Sequence, residues 1–101
     1  MRKKLRLLLA DDQSLFREGL KTLLTTNPDF EICGEASNGE EAVKLAILEK
    51  PDVILMDIRM PGLNGIDATR RLRAAISEEN KCRVIILTTF DTDEDVFEKL
   101  K

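Results

Sequence analysis

Apolar and polar positions alternate between two textures along the chain. Leu5-Arg6-Leu7-Leu8-Leu9-Ala10, Asp52-Val53-Ile54-Leu55-Met56-Asp57 and Arg83-Val84-Ile85-Ile86-Leu87-Thr88 are short, mostly apolar runs with polar flanks. A strand covered on both faces of a parallel sheet requires runs of this kind. Phe30 to Ala36 is a further strand candidate. Between the runs, apolar residues recur at helical spacing. From about Ser14 to Thr25 they are Leu15, Phe16, Leu20, Leu23 and Leu24, and Asn27-Pro28 ends that helix. Asn38 opens a second helix, with Glu41 completing a capping box and Ala42, Leu45 and Ala46 as the expected buried stripe. Pro61-Gly62 turns the chain into a third helix from about Asn64 to Ala75, with Ile66, Thr69 and Leu72 on one side. A fourth begins near Thr92 and directs Val96, Phe97 and Leu100 inward. Its first turn carries Asp93, Glu94 and Asp95, which suit the positive end of the helix dipole.

Four alternations of strand and helix predict an α/β fold with a parallel sheet and right-handed crossovers. The last helix reaches Lys101, so one sheet edge is expected to lack cover and the pattern reads as cut short. A chain of 101 residues has room for one core, and 43% apolar content without Trp or Tyr makes that core aliphatic. The net charge of −3 gives no basic face for nucleic acid, so DNA binding has to come from residues outside the chain. Cys33 and Cys82 match no metal or redox spacing and read as buried free thiols in a reducing compartment. Leu5 to Ala10 is too short for a secretory or membrane segment, which points to a soluble, cytoplasmic protein.

The chemistry gathers at the carboxyl ends of the strands, where open α/β sheets bind ligands. The first strand delivers Asp11 and Asp12, the third Asp57, and the fourth Thr88 and Thr89. Parallel strands bring these groups to one rim although 46 positions separate Asp11 from Asp57. Singly they are ordinary, and Asp12 has a second use as a cap for the helix near Ser14. Together, three carboxylates at one rim call for a compensating hard cation, and Mg²⁺ fits best. With no His and no clustered Cys, zinc sites and His-dependent nucleophilic catalysis are excluded. Asp52 lies at the wrong end of its strand and Asp67 inside a helix, so neither is assigned chemistry.

Leu9-Ala10-Asp11-Asp12, Leu55-Met56-Asp57-Ile58-Arg59-Met60-Pro61-Gly62 and Ile85-Ile86-Leu87-Thr88-Thr89-Phe90 resemble, in order and spacing, the three main motifs of response-regulator receiver domains of two-component systems. Asp12 to Leu20 and Thr88 to Asp91 are most similar to the NarL/FixJ subfamily, whose members carry a C-terminal helix-turn-helix of the LuxR type. The resemblance implies a flavodoxin-like, doubly wound sheet of order 2-1-3-4, with the fifth strand, its phosphoryl-pairing lysine and the last helix lying outside residues 1–101. It implies that Asp57 accepts a phosphoryl group from a histidine kinase or a small donor such as acetyl phosphate. Asp11, Asp12, Asp57 and the backbone carbonyl of Arg59 would hold Mg²⁺, and the Thr88 hydroxyl would bond the transferred group. Arg59 and Phe90 occupy positions that tune phosphoryl lifetime. Phosphorylation would then drive homodimerisation and control a DNA-binding output domain absent from this chain; such a domain turns over no external substrate. Two rival readings exist. A haloacid-dehalogenase-type phosphatase needs a second Asp where this chain has Arg59, and a phosphorylation-independent scaffold usually lacks one of the three acids present here.

Overall fold

A computed structural model describes residues 3–75 and 82–87. Along the chain run β1 (Leu5–Ala10), α1 (Ser14–Leu24), β2 (Phe30–Ala36), α2 (Gly39–Glu49), β3 (Val53–Asp57), α3 (Gly65–Ala75) and β4 (Arg83–Leu87). The strands form one parallel sheet ordered β2-β1-β3-β4, the α/β arrangement expected from the alternating runs and the strand order the family resemblance implies. The expected fourth helix from Thr92, together with Thr88, Thr89 and Phe90, lies outside the described residues. No helix among the described residues is long and apolar enough to cross a membrane.

Local side-chain bonds set the element ends. The Asn38 side chain accepts from the Glu41 amide (2.8 Å), the cap half of the expected box, while Glu41 Oε1 accepts from the amide of Ser37 (3.0 Å), one residue before the cap. α3 starts at Gly65 and not Asn64, because Asn64 is its capping residue and accepts from the Asp67 amide (2.9 Å). β3 likewise starts one residue after Asp52, whose carboxylate accepts the Arg6 amide (2.8 Å) and ties the lower end of β3 to β1.

The sheet divides the molecule. On one face Leu8, Ala10, Ile54 and Met56 pack with Ala42, Val43 and Ala46 of α2 and with Ala68 and Leu72 of α3. Complete burial of such aliphatic side chains contributes roughly 1.5–3 kcal/mol each for the larger ones. Two expected stripes are corrected here. In α2, Val43 is buried and Leu45 only half-buried. In α3 the inward row is Gly65, Ala68 and Leu72, so Ile66 is exposed and Thr69 turns its hydroxyl to the Gly65 carbonyl (2.7 Å). Small residues bring that row close to the sheet, an advantage that apolar periodicity does not register. On the other face Leu7 and Leu9 are buried on the side of α1. α1 itself buries none of its residues, and Leu15 and Leu23 stand 87% and 67% exposed. α2 and α3 pack on each other as well as on the sheet, whereas α1 rests on β1. Cys82 is buried, Cys33 is half-buried, and both thiols are free.

The loop after β3 is held by backbone contact. Gly62 takes φ +73°, the left-handed conformation that glycine adopts without penalty. The chain then returns so closely that the Gly65 amide donates to the Ile58 carbonyl (3.0 Å), and a Cβ on Gly65 would lie 2.2 Å from the carbonyl oxygen of Asp57. Gly19, inside α1, has nothing within 4 Å of such a Cβ. The two glycines therefore respond to alanine with opposite signs. Gly65→Ala should lose about 2–3 kcal/mol in denaturant unfolding, because backbone must move. Gly19→Ala should gain about 0.5–1 kcal/mol from helix propensity alone.

Candidate functional site

Ala10 and Met56 are register partners in the β1–β3 ladder, so the next residues, Asp11 and Asp57, leave the sheet side by side. The Asp11 amide extends the ladder by donating to the Ala36 carbonyl (3.0 Å), after which the chain turns into α1. Asp11 and Asp57 are 3% and 1% exposed, while Asp12 faces solvent. One carboxylate oxygen from each of the three lies within 4.8 Å of the others. Arg59, two residues past Asp57, is exposed and donates its amide to Asp57 Oδ1 (3.3 Å). Thr88 lies outside the described residues. Asp52 and Asp67 are remote from this rim and take the structural bonds already given.

Asp12 does not cap α1. Gln13 is the capping residue, without a side-chain cap, and its amide donates to Asp11 Oδ1 (2.8 Å). Asp11 Oδ2 is buried with no hydrogen-bond partner among the described residues. Two unit charges at 4.8 Å repel by about 3–4 kcal/mol at an effective dielectric constant near 20. Asp11 faces two such neighbours, and the Gln13 amide it accepts returns only roughly 1.5–3 kcal/mol, the usual worth of a bond to a charged acceptor. Burial pushes the Asp11 carboxyl above its usual range, and the charges of Asp57 and Asp12 push the same way. The Gln13 amide and Arg17 oppose them without winning.

A divalent cation fits this site: an all-oxygen set of three carboxylates and a buried Asp11 oxygen lacking a donor among the described residues. Reading the sequence missed the groups that hold this rim from behind. Arg17 of α1 donates to the Asp11 carbonyl and pairs with Glu35 of β2, and no spacing rule separates it from the other charges on that helix.

The pH response follows from the raised Asp11 carboxyl. Its favourable share of stability is complete below the unfolded carboxylate value, roughly pH 4, and is lost as pH rises through the higher folded value. In chelator, thermal unfolding should therefore show wild type losing stability relative to Asp11→Asn between about pH 4 and neutrality. Mg²⁺ at a hundred times its Kd should restore about 2.7 kcal/mol to wild type and nothing to Asp11→Asn.

The family model of the response regulator receiver domain matches residues 7–101. The transcriptional regulatory protein LiaR of Bacillus subtilis is 44% identical over 93 residues, covering 92% of this chain and 43% of LiaR. The chain spans less than half the length of the curated relatives it matches. The signal receiver domain of the response regulator NarL from Mycobacterium tuberculosis superposes with TM-score 0.79 at 34% identity, over 97% of this chain and 77% of that one. A complex of CheX and CheY with BeF₃ and Mg²⁺ from Borrelia burgdorferi superposes with TM-score 0.77 at 26% identity, over 97% of this chain and 72% of that one. With the fold, the acidic rim and these matches in agreement, the chain belongs to the response regulator receiver family, in its NarL/LuxR-type branch.

Proposed function

We propose that residues 1–101 carry the phosphoacceptor site of a two-component response regulator, with Asp57 as the phosphorylated residue. The observation that carries this reading is the acidic rim itself: Asp57 buried beside Asp11, with Asp11 Oδ2 lacking a donor among the described residues. An Asp57 carboxylate oxygen forms a bond to phosphorus while the P–N bond to the imidazole of a histidine kinase breaks, the imidazole leaving as the neutral base once protonated. Asp11, Asp12, Asp57 and the backbone carbonyl of Arg59 would hold Mg²⁺, as the Mg²⁺ in the Borrelia CheY complex also suggests. When bound, the cation supplies charge neutralisation for the transferring group. The Asp57 side chain is oriented for attack by the Arg59 amide, and the Gly65 contact fixes the strand end that carries it. The Thr88 hydroxyl is assigned the bond to a phosphoryl oxygen after transfer.

The product carries roughly −1.5 to −2 charges where one carboxylate stood, and a coupling of about 1–3 kcal/mol suffices to bias an assembly. We assign that bias to homodimerisation in the cytoplasm and to control of a LuxR-type helix-turn-helix, through which alone the parent protein would contact DNA. The net charge of −3 agrees with a unit that does not itself bind nucleic acid.

Intact-mass measurement after incubation with Mg²⁺ and acetyl phosphate should show one added phosphoryl group on wild type and none on Asp57→Asn. Chelation should slow the gain by roughly 10²-fold or more, the worth of a metal's several kcal/mol. Sustained phosphate release from an unrelated monoester would move the reading to a phosphatase, and Mg²⁺ binding without any adduct would move it to a scaffold.

A further inference from the structure

Arg17 reaches the acidic rim from behind. Its Nη1 donates to the carbonyl oxygen of Asp11 (2.5 Å) and its Nε to Oε1 of Glu35 (3.1 Å). Lys21 Nζ, one turn further along α1, holds the other oxygen of Glu35 (3.2 Å). The Arg17 side chain is only 17% exposed, so this pair is partly withdrawn from the screening that makes surface ion pairs weak. Burial acts to raise the Glu35 carboxyl, yet the bonds from Lys21 and Arg17 outweigh it and hold it below the usual range.

A backbone irregularity aims Glu35 at α1. The β1–β2 register runs Leu7 to Ile32 and then Leu8 to Gly34, leaving Cys33 as an extra residue. Glu35 therefore opposes Leu9, on the α1 face. Without the extra residue it would oppose Ala10, on the apolar face packed by α2, since a one-residue slip exchanges faces. The bulge, the acid and the arginine converge on one peptide group, that between Asp11 and Asp12. Beyond that peptide the Gln13 amide turns back onto Asp11 Oδ1 (2.8 Å).

We infer that Arg17, clamped by Glu35, is a positioning residue that locks the Asp11–Asp12 peptide and so sets both carboxylates for the divalent cation. The inference rests on the metal-binding reading above, and its sign separates it from plain electrostatics. By charge alone, removing a cation beside a cation site tightens Mg²⁺ binding. Loss of the brace weakens it.

The test is a calorimetric Mg²⁺ titration of wild type, Arg17→Met, Arg17→Lys, Glu35→Gln and the double variant Arg17→Met/Glu35→Gln, with hydrogen exchange read at the Gln13 amide. Arg17→Met should weaken Mg²⁺ binding about tenfold, the low end for groups that orient metal ligands, and speed Gln13 exchange similarly. Arg17→Lys keeps the charge but not the two-pronged donor, so it should bind nearly as weakly as Arg17→Met. Glu35→Gln should weaken binding less, and the double variant should be no worse than Arg17→Met, because both act through one contact. Equal or tighter Mg²⁺ binding by Arg17→Met, with Gln13 exchange unchanged, overturns the brace. If wild type itself takes up no Mg²⁺, the metal reading falls, and the brace then stands on faster Gln13 exchange in Arg17→Met or falls on unchanged exchange.

Discussion

Repulsion among Asp11, Asp12 and Asp57 is the constraint around which the rest of the molecule is arranged. Asp11 and Asp57 are buried at adjacent strand ends, and burial together with the neighbouring charges of Asp57 and Asp12 raises the Asp11 carboxyl. The apolar sheet beneath them supplies the energy that tolerates this arrangement, and its parallel ladder fixes where the strand ends fall. Glycine at position 65 lets the loop after β3 lie against the Asp57 carbonyl, so the same strand end is held from the other side.

The brace behind the rim adds a second level of control. Among the described residues α1 rests on β1, with Leu15 and Leu23 exposed. Arg17 and Lys21 tie it to Glu35, and Arg17 carries the tie through to the Asp11 carbonyl. Movement of α1 and geometry at the acidic rim are therefore linked through one guanidinium. Arg6 does comparable work at the opposite end of the sheet, where it pairs with Glu31 and Glu49, but among the described residues no buried carboxylate oxygen is left there without a donor.

How much of this was legible in the sequence depended on whether the signal was local. The strands, the Asn38 cap of α2, and the convergence of Asp11, Asp12 and Asp57 follow from short runs and from parallel topology, and the structure shows each of them. The inward row of α3 differs from the apolar spacing because Ile66 is the larger apolar residue, whereas close approach to the sheet favours the small Gly65 and Ala68. α1 carries a proper apolar stripe, yet its burial depends on neighbours that no stripe specifies. Asp12 looked like a cap, but the turn is closed by the Gln13 amide on Asp11. The link between Arg17 and Glu35 was beyond reach, since it hinges on one extra residue at Cys33 that reverses which face Glu35 occupies.

The central claim is that these three carboxylates form one cation site. Mn²⁺ takes the same oxygen ligands as Mg²⁺ and broadens the NMR signals of nearby nuclei. On titration into the protein, it should erase the amide signals of Asp11, Asp12, Asp57 and Arg59 first, leave those of Arg6, Asp52 and Asp67 sharp, and be displaced by Mg²⁺. Broadening centred on Asp52 or Asp67, or spread evenly over the acidic surface, would contradict the account.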